Sequence, residues 1–127
     1  PDREKAKSIL RMVDQTLEMI DTLDIDRFSS NIVKEYYEVL RELATIILLL
    51  DGYKIYGEHA HKGLIYYLEN NKILRQHEVT LLDKLRDLRN RISYDGFFVD
   101  SGYVERKRAD ILSLILRLKE VIDKKIS

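Results

Sequence analysis

Apolar residues that return at every third or fourth position, segment after segment, constrain this chain more than any other feature. That period lines one face of an α-helix and cannot line one face of a strand. In the first segment Ala6, Ile9, Leu10, Val13, Leu17, Ile20 and Leu23 form such a stripe, which predicts a helix over about residues 3–24. Asp24-Ile25-Asp26 breaks it. Ser29, Ser30 and Asn31 are ready N-caps for a second helix that runs to about Leu50, where Asp51-Gly52 supplies a stop. The second half of that helix, Leu43-Ala44-Thr45-Ile46-Ile47-Leu48-Leu49-Leu50, is apolar on nearly every side. It belongs either at the centre of a bundle or under a second chain.

Gly52 and Gly57 bracket a loop, and a short third helix is expected over about Glu58 to Glu69, before Asn70-Asn71. A fourth, from about Glu78 to Tyr94, turns Leu81, Leu85, Leu88 and Ile92 inward and ends near Asp95-Gly96. After Ser101-Gly102 a fifth, from about Val104 to Lys125, buries Ile111, Leu114, Ile115, Leu118, Val121 and Ile122. Short connections between such helices favour antiparallel neighbours. The expected fold is all-α, a five-helix antiparallel bundle, with residues 1–127 as one domain.

Composition narrows the function classes. The 22 basic and 22 acidic residues cancel, so no whole-molecule field draws the chain to polyanions or membrane surfaces, and any such binding needs a local patch. With no cysteine, disulfides, zinc–thiolate sites and thiol nucleophiles are excluded together, which fits a cytoplasmic protein. Pro1-Asp2-Arg3-Glu4-Lys5 is charged and lacks the apolar core of a leader, and the run ending at Leu50 is far short of a membrane span. No membrane partner, metal or cofactor is expected.

The most informative stretch is Lys84-Leu85-Arg86-Asp87-Leu88-Arg89-Asn90-Arg91-Ile92-Ser93-Tyr94-Asp95-Gly96. Its charges alone read as a solvated helix face, with Asp87 paired to Arg91 across one turn. Asn90 strains that reading, because asparagine is a mediocre helix former and here sits inside a basic cluster. Arg86-Asp87-Leu88 followed by asparagine echoes a kinase catalytic loop, but the chain is too short and has no glycine-rich loop. His59 and His61, two residues apart, lie about 200° apart on a helix and cannot chelate a metal jointly. They and His77 read as loop or surface histidines. In the pairs Tyr36-Tyr37 and Tyr66-Tyr67 one ring is expected to pack inward and the other to lie at a wet boundary or an interface. Tyr53 and Tyr94, each beside a break, are the best placed to stack on a base.

The segment Arg89-Asn90-x-x-x-Tyr94, late on the penultimate helix, resembles the RNxxxH signature of HEPN domains, with tyrosine in the histidine position. The Gly52-Tyr53-Lys54 loop and the following His59-Ala60-His61-Lys62-Gly63-Leu64-Ile65 are similar to the loop and short helix that precede that signature in the family, so the resemblance spans nearly the whole chain. It implies a helical bundle that dimerises, with motif residues of both subunits meeting at a cleft. Many such domains are metal-independent ribonucleases, and others pair with a small nucleotidyltransferase as toxin or antitoxin.

Carried over, Arg89 holds a phosphate through its planar fork, Asn90 orients the site, and Arg86 and Tyr53 extend the ligand contacts. Tyr94 puts catalysis in question, because an ordinary phenol with a pKa of about 10 is a poor proton acceptor near neutrality. Gly96 also stands where the toxin-type pattern has a tyrosine. Arg89 and position 94 are about 140° apart on a helix, so the two side chains are not expected to share a face. The expectation is a homodimer that binds RNA, a nucleotide or a nucleotidyltransferase partner without efficient cleavage. The alternatives are a metal-independent ribonuclease in which Tyr94 or a nearby histidine replaces the usual base, and a structural helical adaptor.

Overall fold

The structure, a computed structural model, describes residues 2–53 and 60–127. Among the described residues it contains α-helices and no strand: α1 (Arg3–Asp21), α2 (Ile25–Leu50), α3 (Ala60–Asn70), α4 (Gln76–Asp95) and α5 (Ser101–Ile126). The chain is an all-α bundle, as the apolar period requires. Gly57, Glu58 and His59, where the sequence suggests the end of a loop and the start of a helix, lie outside the described residues.

Short polar side chains set the helix starts. Asp2, Asp24 and Asp100 cap α1, α2 and α5 by accepting hydrogen bonds from Lys5 N, from Asp26 and Arg27 N, and from Tyr103 N. At α4 the Glu78 carboxylate reaches back and accepts from Arg75 N at 2.8 Å. Gly96 ends α4 with φ 64°, a left-handed conformation that glycine adopts without a Cβ penalty.

The start of α2 differs from expectation. Ser29 and Ser30 are not its caps, because the helix begins at Ile25 and only kinks at Phe28 (φ −116°, ψ 25°). Both serines are buried, and their hydroxyls clasp the extended segment after α4: Ser29 Oγ donates to Val99 O, and Val99 N donates to Ser30 Oγ at 2.8 Å. The backbone N–H and C=O of Val99, buried there, would otherwise lack partners.

All four other helices pack on α2. Leu43, Ala44, Ile46, Ile47, Leu48 and Leu50 are buried within the one chain, so the all-round apolar run is the centre of the bundle and needs no second chain to cover it. The start of α1 lies beside Leu49, Gly52 and Tyr53, which makes α1 antiparallel to α2. Glu38 meets Arg89 while Ser30 meets Val99, so α4 also runs against α2. Arg108 bonds Tyr36 and Lys125 bonds Asp51, so α5, returning from α4, runs parallel to α2. The short α3 reaches Tyr37 through His61 and Asp51 through Tyr67, spanning the flank of α2 next to α4.

Tyr36 and Tyr37 are both buried, contrary to the expectation that one of the pair lies at a wet boundary. Each ring fills core volume while its hydroxyl reaches a polar partner, Arg108 for Tyr36 and His61 for Tyr37. The pair Tyr66-Tyr67 does divide, with Tyr66 exposed and Tyr67 packed against the core.

Two tyrosines make stability sensitive to alkali. Burial, reinforced by the neighbouring Glu38, pushes Tyr37 up to about 12, and burial with the hydrogen bond to Asp51 pushes Tyr67 up to about 12. A raised folded pKa favours the protonated form in the folded state. Its contribution is therefore complete below the unfolded value of about 10 and lost as pH rises through about 12. Urea midpoints followed by circular dichroism should fall across that window, and the fall should be smaller in Tyr67→Phe and Tyr37→Phe.

Candidate functional site

Positions 86, 89 and 90 lie on the part of α4 that passes the middle of α2. From α2, Tyr37, Glu38 and Arg41 reach towards them, and from the first turn of α3 comes His61. Tyr37 Oη and His61 Nδ1 are 2.9 Å apart, with ring centroids at 5.5 Å. Arg41 Nε donates to Glu38 Oε2 at 3.0 Å, and Arg89 Nε lies 3.5 Å from Glu38 Oε1. That oxygen is buried and makes no hydrogen bond, so the ion pair to Arg89 is its compensating contact, while Arg41 pairs with the other oxygen of the same carboxylate.

Asn90 has a local task. Its Oδ1 accepts from Arg89 Nη1 at 3.3 Å, so the guanidinium is held on one side by Glu38 and on another by its own neighbour. A guanidinium has five N–H donors, and this arrangement leaves a fork free for an external oxyanion. Arg86 is tied to Asp83 by Nε–Oδ1 at 3.0 Å. Each of Arg41, Arg86 and Arg89 thus has a carboxylate in the chain, which fixes guanidinium geometry and reduces bare charge.

His61 is no surface histidine. Burial lowers its pKa, and Arg41, Arg89 and Arg86 lower it further against the opposing pull of Glu38, so the ring is uncharged at neutral pH. Tyr37, held protonated, orients Nδ1 and leaves Nε2 as the other ring position.

Tyr94 is 75% exposed in the last turn of α4. Contrary to the 140° argument, Arg89 Cζ approaches its ring to 6.0 Å although the helix is intact to Asp95, because two long side chains bridge the angle their Cα atoms leave. The expected Asp87–Arg91 pair does not form; Arg91 instead lies 4.0 Å over the ring of Phe97. Tyr94 and the 86%-exposed Phe98 are two exposed aromatic rings around the C-terminal end of α4.

No protein-family model matches this chain, and no curated protein matches it.

Tyr53 does not join Arg86, Arg89 and Asn90. Its ring packs at a tilt against Tyr67, with centroids 5.5 Å apart, just past the end of α2. The ten residues from Arg41 to Asp51 place that end about 15 Å further along the helix. There Asp51, at the negative end of the helix dipole, is stabilised as a carboxylate by Lys125 at 2.7 Å and by Tyr67. Burial raises its pKa, but these hydrogen bonds outweigh burial and lower it overall.

Sequence reasoning missed Tyr37, Glu38 and Arg41. The available signal was a Glu–Arg pair three residues apart, Glu38 and Arg41, just before the apolar run of α2, which marks a place where polar surface changes to buried. Among the described residues no group of three or more histidine or acidic side chains is placed to hold a metal. No helix there is long and apolar enough to cross a membrane.

Proposed function

We propose that this chain is a HEPN-like helical domain that acts as a homodimer and binds the phosphate of RNA or a nucleotide through Arg86, Arg89 and Asn90, without efficient cleavage. The reading is supported most by Arg89, whose guanidinium is pre-positioned by Glu38 and Asn90 with a fork left over, next to an exposed tyrosine ring. Pre-positioning lowers the entropy lost on gripping a phosphate. Tyr94 and Phe98 supply faces on which an unpaired base can stack. A nucleotidyltransferase partner would meet the same arginine and aromatic surface.

Arg89→Lys keeps the charge but loses the planar fork, so affinity for a single-stranded RNA should fall by about tenfold. Arg91→Lys should change it less, because Arg91 is engaged with Phe97. Fluorescence anisotropy at fixed salt measures both. Equal affinities for wild type and the two variants would leave only a surface role for the basic face.

Dimerisation rests on the resemblance and on the exposure of the Tyr94 and Phe98 rings, since α2 is already covered. Light scattering at micromolar concentration should report twice the 15.1 kDa of the chain. A species of chain mass alone would remove the homodimer.

A second reading, a metal-independent ribonuclease, is favoured by one observation: His61 is an uncharged imidazole oriented by Tyr37 beside Arg86 and Arg89. A neutral imidazole can take the proton of a ribose hydroxyl while an arginine stabilises the charged phosphorane. His61→Ala abolishing any wild-type RNA cleavage in chelator would establish it.

A further inference from the structure

The contact between Tyr37 and His61 fixes which ring nitrogen carries a hydrogen, and that decides what His61 can do beside the arginines. Tyr37 is 1% exposed, so its hydroxyl depends on partners within the chain. Among the described residues its one partner is His61 Nδ1, at 2.9 Å. Two arrangements satisfy that distance: the phenol donates to a bare Nδ1, or Nδ1–H donates to the phenol oxygen. The second strands the phenolic hydrogen in the core without an acceptor, which is costly, whereas the first satisfies both atoms. A neutral imidazole carries one hydrogen, so a bare Nδ1 places it on Nε2.

The ring is neutral because burial lowers its pKa most, and Arg41, Arg89 and Arg86 act in the same direction against Glu38. Nε2 is also within reach of solvent. His61 is only half-buried, and Nε2 has no hydrogen-bond partner among the described residues. Yet it is not one of the buried unpartnered side-chain atoms, which are Glu38 Oε1 and Tyr103 Oη. An N–H therefore faces outward from a ring whose other nitrogen is locked to the core.

The neighbouring groups are donors too. Arg86 is engaged through Nε by Asp83, and Arg89 Nε lies against Glu38, so Nη groups of both guanidiniums remain to donate. Their side chains are 17% and 24% exposed, held by packing and ion pairs on α4 while His61 comes from α3. Donors arriving from separate helices suit an acceptor with several oxygens arranged around one centre, which is the geometry of a phosphate.

We propose that His61 is a phosphate-binding residue of the arginine surface, donating from Nε2–H to a phosphate oxygen, and that Tyr37 is the positioning residue that sets this tautomer. The inference rests on the reading of Arg86 and Arg89 as a phosphate site. Within that reading it assigns His61 to binding, since a general base needs Nε2 bare.

The tautomer is read directly by long-range proton–nitrogen NMR correlation of the full chain at neutral pH, with the His61 signals assigned by their loss in His61→Gln. Wild type should show Nε2–H with a bare Nδ1, and Tyr37→Phe a mixture of the two tautomers. A bare Nε2 in wild type would overturn the proposal and give His61 to the general-base role. Binding is measured by calorimetry with oligouridylate lacking terminal phosphates and with uridine monophosphate, which present the same oxyanion as a diester and a monoester. His61→Phe keeps a ring against Tyr37 but no donor, and should weaken binding by about tenfold. His61→Gln offers an amide N–H near the Nε2 position and should recover most of that loss. Tyr37→Phe should weaken binding by about twofold, because half of the rings then carry the wrong tautomer. This ranking with one probe alone upholds the proposal and identifies the phosphate source. Equal weakening by His61→Phe and His61→Gln would overturn the donor role. Binding that is lost in Arg89→Ala but unchanged in His61→Phe would overturn this inference and leave the arginine site standing, whereas wild type that binds neither probe would sink both.

Discussion

Tyr94→His should raise cleavage of a labelled single-stranded RNA in EDTA by about a hundredfold or more over the wild-type level. The expectation follows from three placements. Arg89 is fixed by Glu38 and Asn90, its guanidinium reaches to 6.0 Å from the ring at position 94, and that ring is largely exposed, so a substrate can reach both. The missing element is a proton acceptor that works near neutrality, which imidazole supplies and an ordinary phenol does not. General-base assistance is typically worth about a hundredfold to ten-thousandfold, so even imperfect geometry leaves a visible gain. Tyr94→His combined with Arg89→Ala should fall back to background. If wild-type protein already cleaves strongly and His61→Ala removes that activity, the non-catalytic reading is sunk and the His61–Tyr37 pair becomes the base. No gain from histidine in a folded protein would mean that the position lies too far from the phosphate.

The fold was legible because its period is simple. The stripe from Ala6 to Leu23, the leucines of α4 and the Ile111–Ile122 face of α5 all turn inward as their spacing demands. The helix starts were less legible. Ser29 and Ser30 carry the chemistry of caps, but a side-chain hydroxyl that caps a helix locally is equally suited to a long-range bond, and nothing local says that Val99 will arrive. Asp24, two residues after α1 fades, took the capping role instead.

The candidate site was only half legible. Arg86, Arg89 and Asn90 announce themselves by their density on one helix, and the structure keeps them together. Tyr37, Glu38 and Arg41 lie some fifty residues earlier in the chain, and His61 on a separate short helix; only packing on α2 joins them. Tyr53 failed for the converse reason: it is near His61 in sequence, yet the length of α2 carries it away. The Arg91–Asp87 pair failed because an exposed ion pair is worth little, about 0.5 kcal/mol, and the ring of Phe97, six residues on and past the end of α4, competes with it.

Leu43→Ala should destabilise the fold by about 2–5 kcal/mol, the largest stability effect expected of any single truncation discussed. Leu43 is fully buried at the start of the all-round apolar run, on the helix against which every other element packs. Its removal opens a cavity among several helices at once, and a centre braced on all sides collapses poorly into it. Against a total of about 5–15 kcal/mol for an ordinary domain, such a loss is a large fraction. Leu116→Ala, at a site 59% exposed, should stay within about 0.5 kcal/mol. Urea denaturation at two protein concentrations adds a discriminating measurement. If the run is covered by its own chain, the loss caused by Leu43→Ala is the same at both concentrations, even in a protein that dimerises through another surface. A loss that shrinks on dilution would place Leu43 under a partner subunit and overturn the single-chain burial of α2.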